Sequence, residues 1–235
     1  MQTNNSSGNP MIAGQETHTI KPVSRRNFLG YIGGASALLL AAQACKKDEA
    51  PSNNGGVDLG SDDIGILNYA YALEQIEAAF YKKISDTPYS GIADAEKALL
   101  ADIRDHEIAH REFFKNALGA KAIPSLELDF SSINFSSRDS VLAAAKAFED
   151  LGVTAYNGAG KLITTPDYLT LAGKIVSVEA RHAAYIRDLI SNGTFADSSA
   201  IDANGLDMAR TPAQVLAIAG TYIKTKINAS NLPTS

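Results

Sequence analysis

Two short patterns in the chain pair an acid with an imidazole. His106-Glu107-Ile108-Ala109-His110 holds Glu107 and His110 three residues apart, and Val178-Glu179-Ala180-Arg181-His182 holds Glu179 and His182 in the same relation. A three-residue step on a helix turns about 300°, so each pair shares one face, one turn apart. A carboxylate and an imidazole so placed can grip a divalent cation. One such pair is weak evidence, because Glu and His are ordinary surface residues. Two copies weigh more, since the chain has four histidines, His18 lies near the amino terminus, and two of the other three fall in this pattern. His106 is expected at the surface or beside the site, not as a ligand.

A second pair of segments matches these. Leu73-Glu74-Gln75-Ile76-Glu77-Ala78-Ala79-Phe80-Tyr81 and Phe148-Glu149-Asp150-Leu151-Gly152-Val153-Thr154-Ala155-Tyr156 align without a gap, each with an apolar residue, then Glu, then Tyr seven positions after the Glu. Glu74 precedes Glu107 by 33 residues and Glu149 precedes Glu179 by 30. The body of the chain is thus a weak internal repeat, each half reading Glu … Tyr … Glu-x-x-His.

The elements that must carry these residues are helices. Ile66, Tyr69, Leu73, Ile76, Phe80 and Ile84 fall at three- and four-residue steps, which predicts one apolar stripe on a helix over about 62–84. A second helix is expected over about 91–118 with Gly119 as its stop, then a non-helical stretch over 120–137. The third is expected over about 138–162. A fourth opens at Thr165-Pro166-Asp167, with Thr165 as N-cap and Pro166 in the first turn, and ends near Asn192-Gly193. A short fifth runs from Thr211-Pro212 to about Ile227. No strand pair is evident. The expected fold is all-α, a four-helix bundle whose only long connection joins helices two and three, as in ferritin-like folds.

One Glu on each of two helices and Glu-x-x-His on each of the other two resembles the ligand set of ferritin-like carboxylate-bridged di-metal proteins. The chain is similar to the exported bacterial branch of that superfamily, the ferritin-like domain-containing proteins, whose first helix reads Leu-Glu-x-Leu-Glu-Ala-x-Phe-Tyr and whose fourth reads Glu-Ala-Arg-His. The likeness covers residues 62–192 and, more loosely, Gly205-Leu206-Asp207 and Thr211-Pro212. It implies Glu107 and Glu179 as bridging carboxylates, His110 and His182 as one ligand to each metal, and Glu74 and Glu149 as terminal ligands. Periodicity puts Glu77 nearer the centre of the apolar stripe than Glu74, whereas the repeat aligns Glu74 with Glu149 and Glu77 with Gly152. Glu74 is the expected ligand and Glu77 an additional or supporting carboxylate. Tyr81 and Tyr156 either hydrogen-bond the ligand carboxylates or simply pack in the core.

Electrostatics points the same way. Several carboxylates gathered inside a bundle repel each other, and burying one unpaired charge costs several kcal/mol. Two divalent cations remove that penalty. Oxygen-rich ligands with one imidazole per ion suit iron or manganese, and zinc fits the same residues. The alternative is a bundle whose acids face solvent or pair with Arg104, Arg111, Arg181 and Arg187. The resemblance implies redox chemistry on peroxide or O2. Rubrerythrin-like peroxide reduction needs an external electron donor, because a single cysteine leaves no Cys-x-x-Cys pairs. Manganese-catalase-like dismutation needs none. Iron oxidation and storage needs a closed cage of many subunits, which a lipid-tethered chain could hardly assemble, and oxygenation of an organic substrate would need a defined pocket. A non-catalytic metal-binding or structural, stress-protective bundle is the rival, and a homo-oligomer is possible.

The chain ahead of this body reads as targeting. Ser24-Arg25-Arg26-Asn27-Phe28-Leu29 precedes an apolar run from Tyr31 to Ala42, too short for a membrane span, and resembles a twin-arginine export signal. Ala44 directly before Cys45 resembles a bacterial lipoprotein box, although Ala42 replaces the usual Leu. Residues 1–45 are therefore expected to be a leader, Cys45 a lipidated membrane anchor, 46–61 a flexible tether, 62–192 the bundle and 193–235 a carboxy-terminal extension, with the protein in the periplasm or on the envelope surface. Beyond residue 45 the chain holds 18 basic and 25 acidic residues, a net charge of −7, which argues against nucleic acid as a partner.

Overall fold

The computed structural model of the chain describes residues 55–234. The expected export leader, the lipidation site at Cys45 and tether residues 46–54 lie outside the described residues. Four long helices form the body: α1 (Asp62–Asp86), α2 (Asp94–Leu118), α3 (Arg138–Gly160) and α4 (Pro166–Ile190). α1 packs along α2 and α3 along α4 as two hairpins, and α1 meets α3 across the middle. The apolar stripe of α1 is buried almost throughout, including Ile66, Tyr69, Leu73, Ile76, Phe80 and Ile84. Gly119 ends α2 at φ 55, in the left-handed region that glycine enters without strain.

The long connection over 120–137 is held by two polar side chains inside the α1 stripe. Asn68 donates to the Leu59 and Lys121 carbonyls and accepts from the Ile123 amide. Gln75 accepts from the Leu126 amide. Both are buried, and each serves backbone groups that would otherwise lose water without a partner. Phe130 and Phe135 from this connection then close over Phe80, with ring centroids 6.1 and 5.8 Å away.

Thr165 does precede α4, but its side chain makes no capping bond. The cap comes from the first turn of α1: the Asp63 carboxylate accepts from the Thr164 and Thr165 amides, each at 2.8 Å. A buried acid at a helix amino terminus faces the positive end of the dipole and satisfies free N–H groups, and here it fastens the second hairpin to the start of the first.

Three expectations are corrected at the edges. The fifth helix, α5 (Pro212–Ala219), stops eight residues early, passing through a 3₁₀ turn over Gly220–Tyr222 into extended chain. Its start is a full capping box between Thr211 and Gln214. A strand pair exists, with β1 (Val57–Asp58) parallel to β2 (Ile227–Asn228). The expected tether therefore does not run free to residue 61, because β1 is paired and Leu59 is fully buried.

The segment entering α5 lies directly on α3. The Arg210 amide donates to the Thr154 carbonyl and its guanidinium to the Thr154 hydroxyl. A Cβ at Gly158 would sit 1.7 Å from the Arg210 carbonyl oxygen. Gly158→Ala should therefore cost about 3 kcal/mol or more, since backbone rather than a flexible side chain must move. A denaturant midpoint within the error of the parent protein's would show that this contact is absent.

Candidate metal centre

Seven ionisable residues meet where the four helices face one another. α1 contributes Glu74 and Glu77, α2 contributes Glu107 and His110, α3 contributes Glu149, and α4 contributes Glu179 and His182. Glu74, Glu107, Glu149 and Glu179 have no exposed surface, and Glu77 and His182 are buried beside them. Four carboxylates at zero exposure require something to offset their charge. Arginine does not do so: Arg104 pairs with Asp105, Arg111 with Glu112 and Arg187 with Asp150, while Arg181 donates to the Ser177 carbonyl.

The donor atoms fall into two quartets. Around the first, His110 Nδ1 lies 2.9 Å from Glu179 Oε1, 3.5 Å from Glu74 Oε2 and 3.6 Å from Glu107 Oε2. Around the second, His182 Nδ1 lies 2.8 Å from Glu107 Oε1, 3.4 Å from Glu149 Oε2 and 3.8 Å from Glu179 Oε2. Within each quartet the ligand atoms lie within 4.8 Å of one another. Glu107 and Glu179 belong to both, each giving one oxygen to either side. The structure thus brings together all six residues that the Glu-x-x-His patterns and their matching segments single out.

None of these eight atoms has an aligned hydrogen bond, although all are buried. The remaining buried side-chain atoms without a partner, among the described residues, are Tyr69 Oη and Glu77 Oε2. Orphaned buried polar atoms are costly and uncommon. Eight of them, grouped four and four with oxygen and imidazole donors converging, fit a pair of divalent cations.

The outer oxygens are accounted for by the tyrosines. Tyr81 on α1 donates to Glu149 Oε1 on α3, and Tyr156 on α3 donates to Glu74 Oε1 on α1. Each hairpin's tyrosine orients the other hairpin's carboxylate and leaves the second oxygen facing the quartet. Burial and the neighbouring acids push both phenols well above their ordinary range, so they stay protonated as donors.

Charge inside the cluster is strongly redistributed. Burial opposes protonation of His110 and His182, but the facing carboxylates outweigh it and push each up to about 12. Burial raises Glu74, brings Glu149 to about 7, and drives Glu107 and Glu77 well upward with help from neighbouring acids. Glu179 goes the other way, to about 2, because the two histidines overcome its burial.

Glu77 lies outside both quartets. Its carboxyl points at α3, where a Cβ on Gly152 would stand 3.0 Å from Glu77 Oε1 and 3.6 Å from Glu179 Oε2. The repeat aligns these two positions, so one half carries the acid and the other the space it occupies. A cavity of about 10 Å³ adjoins them, lined by Leu73, Ile76, Phe148, Leu151 and Ala219, enough for one water-sized molecule.

His106 is the residue whose role pattern reasoning left undecided. It is exposed, yet its Nδ1 lies 2.9 Å from Nε2 of His182, with the two rings parallel to within 6°. Four-residue spacing puts it one helical turn from His110, and only the register of α2 against α4 selects His182 as its partner.

A family model described as a ferritin-like domain matches residues 62–192. No curated protein matches the chain significantly.

Proposed function

We propose that this chain, which belongs to the ferritin-like domain family, is a di-metal carboxylate protein of the cell envelope acting on peroxide or O2. The observation that supports it most is the sharing of Glu107 and Glu179 between two quartets of unpartnered donors. Glu74, His110 and the two shared acids would hold one ion, and Glu149, His182 and the same acids the other. Iron or manganese so held supplies two-electron chemistry toward O2 or peroxide. The protein's part is to fix the donors, exclude water and restrict access. Tyr81 and Tyr156 hold the terminal carboxylates, and Phe80 and Phe148 pack edge to face between α1 and α3 with centroids 4.9 Å apart. Location rests on the leader and on Cys45 as a lipid anchor, and the lone cysteine calls for an external electron donor if the reaction is a reduction.

Loading with either ion should release protons. At neutral pH His110 and His182 are protonated, since both lie near 12, and a histidine must be neutral at the binding nitrogen. Uptake should therefore acidify an unbuffered solution by at least about two protons per chain, one from each histidine. Affinity should rise with pH and weaken on acidification. Uptake without proton release would contradict this charge assignment.

The activity is tested by adding hydrogen peroxide to protein loaded with iron or manganese and following its loss. Loss without reductant supports dismutation, and loss only with a reductant supports peroxide reduction. Fully loaded protein inert to both peroxide and O2 would favour the non-catalytic metal-binding or structural bundle.

A further inference from the structure

The repeat makes the two quartets nearly equivalent, but the outer faces of their histidines differ. His182 turns Nδ1 toward Glu107, Glu149 and Glu179, which leaves Nε2 on the outer edge of the ring. That nitrogen meets His106 Nδ1 at 2.9 Å. In the other half, the residue four positions before His182 is Val178, where four before His110 stands His106. Valine has no acceptor, so the contact has no counterpart by symmetry.

We propose that His106 is a positioning residue for the Glu149–His182 position alone: it accepts the Nε2–H of His182 and thereby fixes the tautomer and ring angle that aim Nδ1 at the cation. A ligating imidazole that donates its remote N–H to a fixed acceptor is held in one tautomer, turned to one angle and made more basic. The partner is most often a carboxylate, a carbonyl or water. Here it is a second imidazole at the protein surface, lying edge to edge with the first in nearly the same plane, ring centroids 5.2 Å apart. The shared plane keeps the N–H···N contact straight, so the one hydrogen bond both selects which nitrogen faces inward and resists rotation of the His182 ring out of that plane.

The inference rests on the two-metal reading, and the test separates the two. Co(II) alone is titrated into the full chain, following visible absorption, with His106 intact or changed to Ala, Phe or Asn. The same series is repeated in the His110→Ala background, where only the Glu149–His182 position keeps its imidazole. His106→Phe keeps a flat ring at the position without the acceptor, whereas His106→Asn places an amide oxygen close to the Nδ1 position. Ala and Phe should weaken the ion at the Glu149–His182 position about 10- to 100-fold and alter its absorption band, as one of two ions in the parent background and as the one that remains after His110→Ala. Asn should restore affinity to within a few-fold. Phe binding like the parent, Asn failing as badly as Phe, or both ions weakening equally would overturn the positioning role while leaving the di-metal centre intact. A parent chain that takes up no Co(II) would overturn the di-metal reading itself, and this inference with it.

Discussion

Glu107→Ala or Glu179→Ala should strip both ions from the chain, whereas His110→Ala or His182→Ala should remove or weaken one. The asymmetry follows from atom sharing. Glu107 gives Oε2 to the His110 side and Oε1 to the His182 side, and Glu179 does the converse. Deleting either acid takes one donor from each quartet and one negative charge from between the cations. Each histidine serves a single quartet. Ligand loss in a small oxygen-rich site costs orders of magnitude in affinity, since even partners outside the ligand set are worth 10- to 100-fold. Elemental analysis of the four variants after equal exposure to metal should give close to zero, zero, one and one ions per chain. Loss of one ion from Glu107→Ala with the other retained at parent affinity would mean that the acid does not bridge.

The second large effect is a reversal of sign. In metal-free protein Glu107→Leu should raise stability, because a carboxylate driven well above its usual range by burial and by the Glu179 charge is replaced by an apolar side chain of similar volume. Apolar replacement of buried charges is neutral to stabilising, by about 1–4 kcal/mol, when no opposite charge is left unpaired; here Glu149 and Glu179 stay beside His182, and Glu74 and Glu179 beside His110. With metal present the order should invert. The parent gains about 2.7 kcal/mol when free metal stands at about 100 times Kd, and a variant with no site gains nothing. Thermal unfolding of both proteins, with chelator and with added iron or manganese, reads the crossing directly. Parallel curves, with the variant below the parent in both conditions, would mean that Glu107 stabilises the fold without a cation.

The sequence exposed what depends on local repetition and hid what depends on distant register. The four helices were legible because their apolar residues recur at helical steps over more than twenty residues, far longer than a chance match. The six clustered Glu and His residues were legible because the motif occurs twice, so each copy vouches for the other. The cap of α4 was not legible. Thr165 has the right residue type, but the acid that caps comes from Asp63, about a hundred residues earlier in the chain. Asn68 and Gln75 looked like ordinary polar interruptions of a stripe, and their partners lie about 50 residues away in a connection with no pattern of its own. The β1–β2 pair joins two-residue segments at opposite ends of the body, shorter than any period can reveal. His106 needed the packing of α2 on α4 before its partner could be named. Glu77 is an intermediate case, since the repeat already set it against Gly152 and the structure gave that alignment a spatial meaning.

The measurement that bears most directly on the central claim is metal content per chain, by elemental analysis, on protein purified from its own envelope without added metal. The expected content is about two iron or manganese ions per chain, one for each quartet of donors. A content near zero in protein that stays folded would mean that protons alone offset the buried carboxylates, and the di-metal reading would fall.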